Sequence, residues 1–421
     1  GATTAKKNQE FGFEASSIHY LILSHAHIDH CGLIPKLVKE GFAGQIFCTP
    51  PTIPFAKLIL EDSAGIQHTE SENIDGASKA LYNLEDVSRS LELFVPVPYN
   101  LEYEIEEGVN LTFTDAGHIL GSAVVNLNLK IKHRRKQVCF TGDLGRFSNR
   151  ILNSPQPCPP ADYIICESTY GDRLHDPIEN TEEKLRKIVF ETCVEKKGKL
   201  LIPAFSIGRT QELIYSLNVL AEDGRLPKIP VFVDSPLSVY ATNILRDNME
   251  YFNEQMQEYI KIDPDPFGFK GLTFISDKED SKLLNTLEEP CVIISSSGMM
   301  EGGRIRHHLR QYISDPNTTI LITGYCEPST LGGQIAAGAR TVNIMGDEFE
   351  VNAKIEYLKE YSAHGDYGDI LKFLLNHDKE KLKALFLVHG EKSTMLNLKH
   401  TLKKEGYGNI EMPEYMISYS L

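Results

Sequence analysis

The sequence predicts an α/β fold made of two domains, with one inserted into the other. Short apolar runs alternate with helix-like segments between residues 200 and 322, a pattern typical of a parallel sheet with crossover helices. On either side of this stretch, strand-like segments end in histidine or aspartate. The 421 residues, with 41% hydrophobic content, suffice for two sizeable cores. We therefore predict a second α/β domain inside the first.

The first predicted strand, Tyr20–Leu23, leads into a dense cluster of possible metal ligands: His25, His27, Asp29 and His30. Imidazole is a usual zinc ligand, and a strand that ends in a loop and then a helix lets alternate side chains converge. We expect His25 and His27 to face one ion. Asp29 and His30, at the start of the helix, are expected to face a second ion or to orient the nucleophile. The alternative is a polar turn whose histidines cap the helix, which this spacing makes the weaker interpretation.

Three later strand-like segments also end in candidate ligands. Apolar runs at residues 111–114, 138–140 and 385–388 lead to His118, Asp143 and His389 respectively. Side chains at strand ends gather along one edge of an open sheet, where active sites usually lie. Taken singly, each would more often be a surface turn residue. Taken together they predict a ligand set, in which Asp143 can offer one oxygen to each of two ions.

The predicted strands of the insert are the apolar runs Leu200–Ile202, Pro230–Val233, Leu272–Ile275, Cys291–Ile294 and Thr319–Ile322. A helix is expected to begin near Asn180, with Glu183 completing a capping box. Its buried face should carry Leu185, Ile188 and Val189.

Two strand-to-helix loops of the insert are candidate substrate contacts. One contains Arg209, and the other contains Ser296, Ser297, Gly298 and Arg304. Backbone N–H groups at a helix N-terminus, with hydroxyls beside them, can bind phosphate. The alternative is an ordinary turn, because such turns commonly use glycine and serine.

The motifs together resemble the metallo-β-lactamase superfamily, and within it the β-CASP nucleases, which include the cleavage-and-polyadenylation endonuclease and RNase J. The superfamily motifs are carried by His25–His30, Gly117-His118 and Thr141–Asp143. Segments similar to β-CASP motifs A, B and C are Glu167–Gly171, Ser362–Asp366 and Val388–Glu391. The resemblance implies an αββα metallo-β-lactamase sandwich over residues 1–171 and 363–421. It also implies an inserted β-CASP domain, residues 172–362, built on a mainly parallel sheet.

The resemblance further implies two zinc ions and a reaction. One ion would be held by His25, His27, His118 and Asp143, and the other by Asp29, His30, Asp143 and His389. A metal-bridging hydroxide would attack phosphorus, and His364, oriented by Glu167, would protonate the leaving ribose oxygen. Asp29 is expected to take part in catalysis as well as in metal binding. Because family members with histidine at motif C act on RNA, His389 favours an RNA phosphodiester hydrolase, with endonuclease and exonuclease modes both open.

Three other functions remain as alternatives. A small-molecule or thioester hydrolase would share the first ligand set but lack the insert and motifs A to C. A DNA nuclease of the same family would carry an apolar residue at motif C. A non-catalytic scaffold subunit would have lost metal ligands, and none of those in the motifs above is lost.

The formal net charge of −15 is unusual for a protein that binds nucleic acid. Two zinc ions would add about four positive charges at the site itself. The one dense basic run, Lys132–Lys136, lies between two strand-like stretches and is interpreted as a solvated hairpin tip. The expected partner is therefore single-stranded RNA bound in a narrow channel focused on the metals.

The cysteines and the lengths of the apolar runs bear on the compartment of the protein. The eight cysteines form no Cys-x-x-Cys pair, and several lie inside apolar strands, which indicates a reducing compartment such as the cytoplasm. No apolar run approaches the length of a membrane span. A homodimer is one possible assembly. Family members normally begin with two further strands and a supporting aspartate that this sequence lacks, and we expect the full protein to contain them.

Overall fold

The computed structural model describes residues 7–73, 80–132, 134–175 and 180–420. It divides into two compact units. The first comprises Gly1–Leu174 and His364–Leu421, and the second comprises His175–Ala363. The domain boundaries predicted from the sequence, after residues 171 and 362, lie close to this division.

The strands before the second unit are β1 (Tyr20–Ile22), β2 (Gln45–Cys48), β3 (Phe94–Pro96), β4 (Tyr103–Glu106), β5 (Val109–Asp115), β6 (Ala123–Ile131), β7 (Arg134–Phe140) and β8 (Tyr163–Glu167). Those of the second unit are β9 (Lys199–Pro203), β10 (Val231–Asp234), β11 (Leu272–Ile275), β12 (Cys291–Ser295), β13 (Thr319–Ile322), β14 (Thr341–Ile344), β15 (Asp347–Glu350) and β16 (Lys354–Tyr357). The chain then returns to the first unit with β17 (Ala384–Val388) and β18 (Ile410–Glu411).

The α-helices of the first unit span Ile28–Cys31, Ile34–Lys39, Thr52–Asn73, Leu84–Leu91, Tyr367–Leu374 and Lys392–Lys404. Those of the second unit span Thr181–Val189, Arg209–Glu222, Pro236–Arg246, Glu254–Ile260, Lys278–Leu284, Ile305–Tyr312 and Leu331–Ala336. Within the described residues, no helix has both the length and the apolar character needed to cross a membrane.

The first unit contains two sheets with a core on each face of the larger one. The strand orders are β1-β2-β3, all parallel, and β18-β17-β8-β7-β6-β5-β4. Strands β4 to β7 pair antiparallel, whereas β7, β8, β17 and β18 pair in parallel. Phe47 of β2 packs with Phe113 of β5, while Phe373 and Leu398 of two helices pack with Ile164 of β8. The larger sheet is therefore covered by the smaller sheet on one face and by helices on the other, which confirms the predicted sandwich.

The second unit is built on a parallel sheet of order β11-β10-β12-β9-β13-β16, beside the antiparallel hairpin β14-β15. Five of its strands follow the apolar runs identified in the sequence. Strand β16 was not predicted, because its sequence Lys-Ile-Glu-Tyr has the charged character of an edge strand and lacks an apolar run.

The predicted capping box at the start of the insert is wrong. Asn180 does precede the Thr181–Val189 helix, but it has a left-handed φ of 68° and, among the described residues, its side chain makes no capping hydrogen bond. Glu183 instead accepts from Arg186 Nε at 2.9 Å and pairs with Arg225 at 2.7 Å. These two charge-assisted contacts engage the Glu183 carboxylate. The predicted buried face is confirmed at Leu185, Ile188 and Val189.

Candidate metal centre

The predicted ligands of the first unit meet because they follow strands that end at the same side. The segment with His25, His27, Asp29 and His30 follows β1, while His118, Asp143 and His389 follow β5, β7 and β17 respectively. Since β7, β8 and β17 are parallel neighbours, their carboxyl ends share one edge of the sheet. Glu167, the last residue of β8, lies at that edge too.

One group of possible ligands consists of His25, His27, His118 and Asp143, whose ligand atoms all lie within 4.8 Å of one another. His27 Nδ1 is 3.1 Å from both His25 Nε2 and His118 Nε2. Asp143 Oδ2 is 3.4 Å from His25 Nε2 and 3.6 Å from His118 Nε2. Zinc–nitrogen bonds of about 2.0–2.1 Å in a tetrahedron separate ligand atoms by about 3.3–3.4 Å. The spacing therefore fits an ion at the centre of the group.

A second group contains Asp29, His30 and His389. Asp29 Oδ2 lies 3.3 Å from His389 Nε2 and 3.8 Å from His30 Nε2. Asp29 is exposed and His30 half-buried, so this group is more open to solvent than the first. The structure thus brings together every metal ligand that the sequence predicted.

Asp143 lies between the two groups. Its Oδ2 is 3.3 Å from His30 Nε2, and its Oδ1 is 3.5 Å from His389 Nδ1. Within the described part of the chain, neither Asp143 Oδ1 nor His30 Nε2 has a hydrogen-bond partner, although both atoms are buried. A buried polar atom without a partner costs about 1–3 kcal/mol, so such atoms usually serve another purpose. Because their neighbours are imidazoles and a carboxylate, these two atoms are well placed to coordinate a metal ion.

The protonation states suit metal binding. Burial lowers the pKa of His25 and His118, and lowers that of His27 to about 3, so these imidazoles are neutral at pH 7. Burial alone would raise the pKa of Asp143, but the neighbouring His25 and His30 imidazoles hold it well below the usual range. Neutral imidazoles and an ionised carboxylate are the forms that bind zinc. The cluster therefore fits a metal site.

His364 and Glu167 form a pair beside the cluster. His364 Nδ1 is 3.2 Å from Glu167 Oε1, and the His364 ring centroid is 4.5 Å from that of His118. Glu167 is fully buried and accepts the backbone N–H of Leu144 at 2.6 Å and of Thr169 at 3.2 Å. Burial alone would lower the pKa of His364, but the Glu167 carboxylate outweighs it and raises the pKa. A charged imidazole near neutrality can act as a general acid.

Two hydroxyl groups that the sequence analysis did not identify support the ligands. Ser24 Oγ lies 3.2 Å from His25 Nδ1, and Thr169 Oγ1 lies 3.0 Å from His389 Nδ1. Such contacts fix the orientation of a ligand ring. Ser24 also explains why residue 142 is glycine, because a Cβ there would lie 2.7 Å from Ser24 Cβ, and the φ of Gly142 is 54°.

The two arginines predicted to contact substrate are engaged within the second unit. Arg304 Nη1 is 2.7 Å from Asp234 Oδ1, and its Nη2 donates to the Ser276 carbonyl at 2.6 Å. Arg209 is buried and pairs with Glu212 at 2.8 Å. Each guanidinium therefore has a structural partner, and contact with substrate stays a prediction for both.

The remaining predicted substrate contacts lie in the loop after β12. Ser296 Oγ donates to Ser235 Oγ at 3.0 Å, while Ser297 Oγ accepts the Gly302 N–H at 3.2 Å. A Cβ on Gly298 would lie 2.9 Å from the Phe205 ring, so the loop packs closely. Phosphate binding by Ser296, Ser297 and Gly298 also stays a prediction.

Three family models match the chain. Residues 1–191 match the metallo-beta-lactamase superfamily, and residues 210–335 match the Beta-Casp domain. Residues 348–413 match the Zn-dependent metallo-hydrolase RNA specificity domain. The first and third matches lie mainly in the first unit, and the second match lies within the second unit.

Several curated proteins are similar over nearly the full chain. Ribonuclease TTHA0252 of Thermus thermophilus is 32% identical over 96% of this chain and 89% of its own length. An RNase J-like protein of Methanocaldococcus jannaschii is 31% identical, over 92% of this chain and 85% of its own length. Transcription termination factor FttA of Methanococcus maripaludis is 31% identical over 93% of this chain, which spans only 61% of that relative. The chain belongs to the β-CASP family of the metallo-β-lactamase superfamily.

Proposed function

We propose that the chain is a zinc-dependent hydrolase of RNA phosphodiester bonds. The observation that carries the proposal is the convergence of the two ligand groups on Asp143, with the His364–Glu167 pair beside them. The family model for an RNA specificity domain over residues 348–413 supports RNA as the substrate. Relatives named as a ribonuclease and an RNase J-like protein support the same class of reaction.

Two zinc ions are the cofactors that we propose. His25, His27, His118 and Asp143 would hold the first, and Asp29, His30, Asp143 and His389 the second. Zinc bound there supplies Lewis acidity, which lowers the pKa of water toward neutrality and stabilises negative charge developing at phosphorus. Asp143 belongs to both proposed ligand sets, so its ionised carboxylate would join the two halves of the site.

The chain supplies the acid. His364, with its pKa raised by Glu167, holds a proton on the imidazole near neutral pH and delivers it to the leaving ribose oxygen. Glu167 is a positioning residue, because the N–H groups of Leu144 and Thr169 fix its carboxylate while it faces His364 Nδ1. Asp29, exposed at the edge of the second group, would orient the attacking water.

We also propose a division of the chain into two domains and a location in the cell. Residues 1–171 and 363–421 would form the catalytic domain and residues 172–362 the β-CASP domain. The described cysteines form no disulfide, and their placement in apolar strands supports a reducing compartment, for which we propose the cytoplasm. A homodimer stays a prediction, which light scattering of the purified protein would test.

The proposal is tested by zinc analysis and a cleavage assay. We expect about two zinc ions per chain and cleavage of labelled single-stranded RNA that chelator abolishes and added zinc restores. A circular RNA substrate separates internal cleavage from digestion at an end. Protein without zinc, or cleavage that persists in chelator, would contradict the proposal.

A matched pair of variants assigns the activity to the centre. His389→Ala should lower the zinc content to about one ion per chain and abolish cleavage, because it removes a ligand of the second ion only. His400→Ala removes an exposed histidine of the same unit, outside both ligand groups, and should change neither. Equal behaviour of the two variants would remove His389 from the site.

A further inference from the structure

A basic groove lies at the edge of the large sheet where β7, β8 and β17 begin. Arg134, Arg135 and Lys136 start β7, Lys383 directly precedes β17, and Tyr163 is the first residue of β8. These five side chains line an open groove of about 550 Å³. We call this set the basic groove.

The topology explains why residues from three distant chain segments meet there. Tyr163 pairs with Val138 of β7 on one side and with Ala384 of β17 on the other, in parallel register. The first residues of the three strands therefore lie at one edge of the sheet. Their last residues lie at the opposite edge, which we call the metal edge because it carries the candidate ligands. Tyr163 and Glu167 are four residues apart along β8, which separates the two edges by about 13 Å at this strand.

The groove carries more positive than negative charge. Lys383 Nζ is 2.9 Å from Asp162 Oδ1, while Asp162 Oδ2 accepts the backbone N–H of Gln137 at 2.9 Å. The five side chains that line the groove are four cations and one tyrosine, and Asp162 is an acidic neighbour of Lys383. Arg135 also lies opposite Lys130 of β6 in the cross-strand register, which adds a like charge. Like charges held opposite each other repel, and a bound polyanion relieves that repulsion.

The groove also offers an aromatic ring. Lys383 Nζ lies 5.6 Å from the centroid of the half-buried Tyr163 ring. Cations that follow a backbone, together with a ring on which a base can stack, are the combination that binds single-stranded nucleic acid. The sequence alone favoured a solvated hairpin tip for Lys132–Lys136, of which His133 lies outside the described residues. In the structure, Lys383 and Tyr163 from other segments of the chain line a groove together with this basic run.

We propose that the basic groove binds phosphates of an RNA strand whose scissile bond lies at the metal edge. The groove is a holding site, distinct from the catalytic groups, and it rests on the proposed function for the identity of its polyanion. Its contribution depends on length: an RNA that reaches from one edge of the sheet to the other gains affinity, and a shorter one does not. The net charge of −15 makes such a local site the more important, because the chain as a whole repels RNA.

The test compares two double variants with the same loss of charge. Arg134→Gln/Arg135→Gln neutralises two exposed cations of the groove, and Lys403→Gln/Lys404→Gln neutralises two exposed cations on a helix of the same unit. Binding is measured by fluorescence anisotropy with phosphorothioate RNA, which keeps one charge per linkage and resists hydrolysis. Probes of about 20 and about 5 nucleotides are used over a range of salt concentrations.

We expect the groove variant to bind the long RNA about tenfold more weakly, with its salt slope reduced by about 1.4, or 0.7 for each lost phosphate contact. Binding of the short probe, and the rate at which an unmodified RNA of the same length is cleaved, should be unchanged in both variants. Two results would overturn the proposal: unchanged affinity for the long RNA, or an equal loss in the lysine control. Loss of binding to polyglutamate with RNA affinity intact would assign the groove to an acidic protein instead.

The two proposals can fail separately. If the wild-type protein cleaves RNA while the groove variant binds the long probe normally, only the holding site is rejected. If the groove variant loses affinity but the wild-type protein never cleaves, the hydrolase proposal is rejected and the holding site stands.

Discussion

His364 Nδ1 lies 3.2 Å from Glu167 Oε1, which joins two residues 197 positions apart in the sequence. The entire second unit is inserted between them. Glu167 is fixed by backbone N–H groups from before the insert, and His364 is the first residue after it. The His364–Glu167 pair therefore forms only when both parts of the first unit have come together.

Replacement of His364 should separate chemistry from metal binding. His364→Ala is expected to keep its zinc but to lower the rate of RNA cleavage by about 10²- to 10⁴-fold, the usual contribution of a general acid. Glu167→Gln should lower the rate and also shift the alkaline limb of the pH–rate profile, where His364 loses its proton, to lower pH, because the carboxylate that raises the His364 pKa is lost. Single-turnover kinetics and zinc analysis provide the readouts. An unchanged rate in His364→Ala would exclude it as the acid.

Replacement of Asp143 should remove metal and activity together. The carboxylate contacts His25, His30 and His389, so Asp143→Ala leaves both ligand groups without their shared oxygen donor. Asp378→Ala, which removes an exposed aspartate of the same unit paired with Lys381, is the control and should retain both. Zinc retained with full turnover in Asp143→Ala would refute the bridging role.

Replacement of Arg304 should affect stability more than substrate binding. Asp234 is fully buried and is bonded by Arg304, by His308 at 2.7 Å and by Ser281 at 2.6 Å. Arg304→Gln leaves part of this buried charge uncompensated, and we expect a loss of about 3 kcal/mol in the stability of the second unit. Arg306→Gln, two residues along the same segment, should cost less than about 0.5 kcal/mol.

Thermal unfolding and Michaelis–Menten kinetics distinguish the two roles of Arg304. A lower melting temperature with an unchanged KM for RNA supports the structural role. A raised KM at unchanged melting temperature would contradict it and would favour the substrate contact that the sequence suggested.

Asp115 should make the stability depend on pH. Burial raises its pKa to about 6, and the hydrogen bonds from Gly117 and Asn153 oppose this only in part. Between about pH 4 and pH 6 the folded protein holds more protons than the unfolded chain, so stability falls as the pH rises through this window. Above it the penalty is complete, at most about 3 kcal/mol.

Asp115→Asn removes this penalty. We expect a melting temperature a few degrees above that of the wild type at pH 7, and nearly equal melting temperatures at pH 4. Differential scanning calorimetry at the two pH values measures the difference. A gain of the same size at both, or a loss at pH 7, would contradict the assignment to Asp115.

The candidate ligands could be identified from the sequence because their chemistry is local. Histidine and aspartate directly after apolar runs can be read without knowing which strands are neighbours, and parallel pairing then brings the strand ends together. Ser24 and Thr169 were not identified, since serine and threonine are common in turns and only the folded chain shows which ring they face.

Features that depend on tertiary contacts were missed or wrongly predicted. The capping box predicted at Asn180 is absent, and Glu183 instead pairs with two arginines. One of them, Arg225, follows the next helix along the chain. The basic groove could not be predicted from the sequence, because its aromatic ring, Tyr163, and its fourth cation, Lys383, are more than two hundred residues apart. Charge and ligand spacing can be read along the chain, whereas partners across strands cannot.

The position of His389 beyond the inserted unit has a consequence during protein synthesis. A ribosome must make all of His175–Ala363 and then β17 before His389, the last of the candidate ligands along the chain, exists. A growing chain can gather His25, His27, His118 and Asp143 early, yet it lacks both His364 and the group that completes the second ligand set. The second group of candidate ligands and the His364–Glu167 pair can therefore assemble only after translation has passed the insert.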